Sequence, residues 1–252
     1  MTSPRRGRIR PARRIRHVIR FAPLVVAGAL AMGLPGVAAA GPVKGPDVAS
    51  WQHPGGAGID WFAVRASGHQ FAMVKATEGL NYVNPYFVQD GIGMRLAGMV
   101  RGAYHYADVR ASPEAQAAFF AATAFPVVSG GLPPVLDLED AKGLPPAAVI
   151  DWTRRYLRAV ESLTGDKPII YTYPHFWRTA MANTTEFSNY PLWIADYNGK
   201  NQPGPLPGGW SHWTFWQYTD SGRIPGVNAA IDLNIYGGGL GDINRFSNPF
   251  GS

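Results

Sequence analysis

Asp137 and Glu139 stand two residues apart in Leu132-Pro-Pro-Val-Leu-Asp-Leu-Glu139. The run reads as a strand, in which side chains alternate between faces, so the two carboxyls point the same way. Their Cα atoms should lie about 6–7 Å apart, two strand rises. Burying two neighbouring carboxylates is costly, and their repulsion raises one pKa. Glycosidic bond cleavage has a use for the arrangement. It needs a protonated acid for the leaving oxygen and an ionised partner near the anomeric carbon. A D-x-E on a strand is only moderately specific, and partly buried acids that cap loops remain the alternative.

Further acids fall at strand-like positions. Asp47 lies between apolar residues in Gly45-Pro-Asp-Val48, and Asp232 in Ala230-Ile-Asp-Leu-Asn234. Asp196 ends Leu192-Trp-Ile-Ala-Asp196. Aromatic residues crowd the same ends: Trp51, Tyr104, Tyr106, Tyr171, Trp193 and Tyr197 among them. Sugar rings present C–H faces that stack on aromatics, and Tyr and Trp keep a polar tip for hydrogen bonding. Core packing explains about half of such residues equally well.

Other chemistries find little support. The chain has no Cys, which removes a thiol nucleophile, disulfides and thiolate metal sites. Its histidines form no H-E-x-x-H or H-x-H pair, and no G-x-S-x-G elbow occurs. His105 reads as a pocket or a core residue with equal weight. No metal and no cofactor are expected. Gly237-Gly-Gly239 lacks a phosphate-loop pattern and reads as a turn with no helix after it.

The elements that must position these groups are strand-like runs over 43–50, 70–76, 99–106, 134–139, 168–173, 192–197, 213–218 and 230–235. Helical patterns lie over 85–96, 112–124 (Ser112 as N-cap, Pro113 at the first position), 145–163 and 175–181. The alternation indicates an α/β fold, and eight strands favour a barrel whose later helices are missing. Sites in such barrels form at the carboxyl ends of the strands. If the sheet closes, the first and eighth strands are neighbours and bring Asp47 to Asp232.

The net charge of +6 over 252 residues is misleading. Residues 1–40 hold eight arginines and no acid, and without them 15 basic residues face 17 acidic ones. A nucleic-acid partner is therefore not expected. The same segment reads as a secretion signal: a basic stretch to Arg20, an apolar run from Phe21 to Val37, then Ala38-Ala-Ala40. An uncleaved anchor is the alternative, but Pro23 and Pro35 interrupt the run. The organisation expected is a signal peptide over 1–40 and one catalytic domain over 41–252. The mature protein should be extracellular, free of the membrane and monomeric.

Taken in order, the motifs resemble glycoside hydrolase family 25, the Chalaropsis-type lysozymes or N-acetylmuramidases. They are Gly45-Pro-Asp-Val-Ala-Ser-Trp-Gln52, Gly58-Ile-Asp-Trp61, Phe71-Ala-Met-Val-Lys-Ala-Thr-Glu-Gly79, Arg101-Gly-Ala-Tyr-His-Tyr106, Leu132–Glu139, Ile170-Tyr-Thr-Tyr173, Pro191-Leu-Trp-Ile-Ala-Asp-Tyr197, Trp216-Gln-Tyr-Thr219 and Ile231-Asp-Leu-Asn234. The resemblance implies an irregular TIM-like barrel of eight strands with fewer helices. It also implies cleavage of the β-1,4 bond between N-acetylmuramic acid and N-acetylglucosamine in the glycan strands of peptidoglycan. By resemblance Glu139 is the general acid and Asp137 its partner. Asp47, Asp232, Trp51, Tyr104, Tyr106, Tyr171, Asp196, Tyr197 and Gln217 are expected to bind substrate. No appended wall-binding module is expected. Pro46 departs from the family's usual Gly-Ile-Asp and should disturb the pairing of the first strand. A chitinase-like glycosidase and a non-catalytic wall-binding barrel are the rival readings.

Overall fold

A closed ring of eight strands organises the chain; the computed structural model describes residues 41–247. The strands are β1 (Lys44–Val48), β2 (Phe71–Glu78), β3 (Tyr82–Val83), β4 (Val100–Tyr106), β5 (Val135–Asp137), β6 (Ile169–Thr172), β7 (Leu192–Ala195), β8 (Phe215–Gly222) and β9 (Ile231–Tyr236). The order runs β1-β9-β8-β7-β6-β5-β4-β2, and β1 pairs with β2 to close the barrel. Only β9 runs antiparallel to its barrel neighbours. The two-residue β3 hangs from β2 as a hairpin outside the ring and was not expected.

The helices are α1 (Trp61–Ala66), α2 (Phe87–Leu96), α3 (Pro113–Val128), α4 (Pro146–Thr164), α5 (Pro174–Thr179) and α6 (Leu240–Ser247). The Ser112 side chain accepts from Ala115 N at 3.3 Å, which places the start of α3 where its cap signal does. Gly165 closes α4 in the left-handed region at φ 77°, where an added Cβ would be strained. The β7–β8 and β8–β9 connections carry no helix, so the expected barrel with missing later helices is the fold observed. Two helices were not expected. Asp60 caps α1, accepting from Ala63 N at 3.0 Å. Helix α6 follows Gly237–Gly239 directly, which corrects the reading of that run as a turn without a helix. Gly239 N donates to Asp242 Oδ2 at 2.9 Å, so the glycines form a capped helix start.

Alternation along each strand divides the side chains cleanly. Val43, Phe71, Met73, Val135, Ile169, Trp193 and Phe215 pack together inside the ring. Ala72, Val74 and Ala103 face α1, α2 and α3, while Leu136, Ile170 and Ile194 lie in the cluster that includes α4 and α5 residues. Ile243 and Phe246 of α6 belong to the inner cluster, so this helix seals the end of the barrel away from the strands' carboxyl termini. Gly45 belongs here too: a Cβ on it would meet Phe71 O at 2.2 Å. Pro46 leaves the β1–β9 ladder unbroken from Lys44 to Asp47. On the β2 side, pairing is limited to Asp47 and Val48 plus an isolated bridge from Lys44 to His69. The missing amide donor of Pro46 falls in that gap.

Candidate active site

The alternation that puts Phe71 and Met73 in the barrel core carries on to Lys75, and that of Val135 carries on to Asp137. The inward positions nearest the carboxyl ends are thus polar above an apolar floor. They form a cleft of about 220 Å³ lined by Asp47, Trp51, Gln52, Lys75, Tyr104, Tyr106, Asp137, Glu139, Tyr171, Trp193, Gln217 and Asp232.

Asp47 and Asp232 are directly paired in the β1–β9 ladder. Gln217, buried on β8, links them: its Nε2 donates to Asp47 Oδ2 at 2.8 Å and more loosely to Asp232 Oδ2 at 3.5 Å. Its Oε1 accepts from Tyr171 Oη at 2.9 Å and Tyr197 Oη at 2.5 Å. Asn234 donates from Nδ2 to the same Asp47 oxygen at 2.8 Å and accepts from Trp193 Nε1 at 2.8 Å. Both amide orientations are thereby fixed by their partners.

Charge is expensive here. Burial pushes Asp47 up to about 6, although Asn234 and Gln217 pull it down. Burial, then the charges of Asp47 and Asp220, push Asp232 up to about 8. Asp137 is raised well above the carboxylate range, first by burial and then by Glu139. Glu139 is raised as well, by burial first, while the Lys75 ammonium opposes the shift. Both carboxyls of the Asp137–Glu139 pair are thus pushed toward the protonated form. Asp137 Oδ1 is buried without a hydrogen-bond partner among the described residues.

The cleft gathers nine of the eleven residues singled out in the sequence, among them Gln217. Trp51 stands at its lip, 83% exposed, free to offer a flat face. Tyr104 and Tyr171 meet Trp193 edge-on, with centroids 6.2 and 4.7 Å away. Asp196 and Tyr197 lie instead in an adjoining hollow that shares Glu139 and Tyr171 with the cleft. The Asp196 Oδ2 is engaged within its own loop, accepting from Gly204 N at 2.7 Å and Asn198 Nδ2 at 2.9 Å. His105 sits behind the wall, fully buried between Thr77 and Gln116, and is a core residue. Trp216 and Tyr218 pack on the outside of the ring.

Lys75, Gln52 and Asn234 were missed as site residues. Lys75 pairs with Glu78 and lies 4.6 Å from the Tyr106 ring centroid. Its signal was the same period of two that marks Phe71 and Met73. Among the described residues, no group of three or more His, Cys, Asp or Glu is placed to hold a metal ion.

Residues 46–227 match the family described as glycosyl hydrolases family 25. The uncharacterised protein YegX of Escherichia coli K12 is 37% identical over 209 residues, spanning 81% of this chain and 73% of YegX. The N,O-diacetylmuramidase of Arthroderma benhamiae is 33% identical over 217 residues, or 82% and 88% of the two chains. The crystal structure of the bacterial lysozyme from Streptomyces coelicolor superposes with a TM-score of 0.76 at 32% identity, covering 83% of this chain and 99% of that one. The acid-lined mouth of an eight-stranded barrel and the matched span agree: the chain belongs to glycosyl hydrolase family 25.

Proposed function

We propose that the cleft cleaves the β-1,4 bond between N-acetylmuramic acid and N-acetylglucosamine in peptidoglycan, with Glu139 as general acid and Asp137 as the group that orients the substrate's 2-acetamido arm. Membership of the family and the muramidase and lysozyme relatives support the activity. The observation that carries the division of roles is the Asp137 carboxyl. Its buried Oδ1 has no partner among the described residues, and a buried polar oxygen left unpaired costs about 1–3 kcal/mol. An acetamido N–H placed there removes that cost.

In the first step the Glu139 O–H bond breaks as the proton passes to the glycosidic oxygen. The C1–O bond breaks, and the acetamido carbonyl oxygen forms a new bond to C1 from the opposite face. The developing positive charge on the resulting oxazolinium is stabilised by Asp137. In the second step Glu139, now ionised, takes a proton from water, whose oxygen bonds to C1 as the oxazoline oxygen leaves. Two inversions give net retention, and Glu139 regains its proton. Substrate assistance of this kind is an established departure from the two-carboxylate scheme. Digestion of purified peptidoglycan and of chitin tests the substrate: peptidoglycan should be cleared and chitin left intact.

The site faces a wall polymer, so the reading includes export. The segment 1–40, which lies outside the described residues, serves as a cleaved signal peptide, and residues 41–252 act outside the cell as a monomer. Among the described residues no helix is long and apolar enough to cross a membrane.

A further inference from the structure

Trp51 is exposed, yet the short loop that carries it is held by buried groups. Ser50–Gln52 and Pro54–Gly56 are single 3₁₀ turns between β1 and α1. Gln52 ties the first turn to the barrel, donating to Ala230 O at 3.1 Å and accepting from Ala49 N at 2.8 Å. Between the turns His53 plunges inward and is only 3% exposed. Its Nδ1 donates to Ala57 O at 2.9 Å, because a carbonyl can only accept. Its Nε2 lies 2.9 Å from Oδ2 of Asp90, a fully buried carboxyl on α2. The other oxygen of Asp90 accepts from Trp61 Nε1 at 3.2 Å. The His53 ring also stacks on Tyr86, with centroids 3.8 Å apart and planes within 5°.

A proton must lie between Nε2 and Oδ2 for the two to approach to 2.9 Å, and every polar atom of both side chains is satisfied. A buried pair of this kind stabilises a fold little compared with apolar packing, but it fixes geometry. The His53–Ala57 hydrogen bond spans the second turn, the His53–Asp90 bond ties that turn to α2, and Trp51 lies two residues before His53 in the first turn. We infer that His53 and Asp90 are positioning residues for Trp51, holding the indole at the cleft lip as a stacking platform for a sugar ring of the substrate. Nothing in the proposed bond cleavage uses them. The inference rests on the muramidase reading above, since the platform needs a glycan to stack.

The test is a double-mutant cycle read as KM and kcat on soluble peptidoglycan fragments. Trp51→Ala should raise KM about three- to tenfold, the worth of one aromatic contact, with little change in kcat. His53→Ala should raise KM by a similar factor, and the double variant should be no worse than Trp51→Ala alone. Asp90→Asn should stay within about twofold of the parent, because an amide can donate to a neutral Nε2 and still accept from Trp61. Tyr86→Ala removes the stacking partner without leaving a buried charge, so it tests the same claim if His53→Ala does not fold. Its rise in KM should vanish in the Trp51→Ala background. Effects of His53 or Tyr86 that multiply with that of Trp51, or that fall on kcat with KM unchanged, would overturn the inference. A parent protein inactive on peptidoglycan would instead remove the muramidase reading itself.

Discussion

Asp47 lies opposite Asp232 across the antiparallel β1–β9 seam, and the Gln217 Nε2 between them reaches one at 2.8 Å and the other at 3.5 Å. A single amide cannot neutralise two carboxylates. Burial raises both acids above the ordinary carboxylate range, and the acidic cleft is maintained at a cost in stability.

That cost has a sign and a pH window. Asp47 is pushed up to about 6 and Asp232 to about 8, against ordinary values near 4. Both unfolded and folded chains are protonated below about pH 4, so no penalty arises there. As pH rises, the unfolded chain ionises first and stability falls until the folded groups have titrated, near pH 8. Asp232→Asn should remove part of this slope. With allowance for the partial exposure of Asp232, the gain should be on the order of 1–2 kcal/mol at pH 8 and nil at pH 4. Denaturant unfolding at the two pH values measures it. Equal gains at both would show that the carboxyl is not held neutral.

The catalytic route can be separated from its competitor by chemistry on the substrate. Converting the N-acetyl groups of muramic acid to free amines should depress kcat far more than it raises KM. Asp137→Asn should behave similarly on the native glycan. The anomeric configuration should be retained, and mass spectrometry after treatment with a fluorinated sugar should find no sugar–enzyme adduct. A stable adduct on a carboxylate would replace assistance by a covalent enzyme intermediate, and an inverted product would exclude both.

Helix α6 supplies a control remote from the cleft. Ile243 is completely buried in the barrel's inner cluster. Ile243→Ala should cost about 2–5 kcal/mol by leaving a cavity. Since it plugs the opposite end, KM and kcat of the folded enzyme should be unchanged. A selective rise in KM would show that the barrel floor and the cleft are mechanically linked.

The leader makes a separate prediction. Secreted protein should begin at Gly41 and carry a net charge near −2 rather than +6, with the eight arginines removed. Intact mass of the culture-medium protein decides this. A product that still holds residues 1–40 would contradict the reading of the segment as a cleaved signal.

The inward positions of the site were legible because a strand has a period of two. Reading 134–139 as a strand put Asp137 and Glu139 on one face; β5 in fact ends at Asp137, and Glu139 reaches the same cleft from just beyond it, while closure of the sheet brings Asp47 to Asp232. The same period pointed Lys75 into the cleft, but a lone lysine in Met-Val-Lys-Ala reads as a solvated charge until its neighbours are known. Asp196 was legible as a strand-end acid and not as a loop organiser, because Gly204 and Asn198 approach it only through the folding of an irregular loop. Helix α1 was missed although Asp60 before Trp61 offers a cap, because its six residues are too few to show a helical period. Helix α6 spans only eight residues after three glycines, and its burial depends on a barrel opening that no local pattern encodes. The two residues of β3 fall below the length at which alternation carries information.

The most direct test is Glu139→Gln assayed on purified peptidoglycan alongside the parent, with the released fragments analysed for their reducing ends. The amide keeps the side chain's size and cannot deliver the proton, so the rate should fall about 10²–10⁴-fold while the folded state survives. The parent should release fragments ending in N-acetylmuramic acid. A folded Glu139→Gln protein that clears the substrate at near the parent rate, or parent fragments ending in N-acetylglucosamine, would contradict the account.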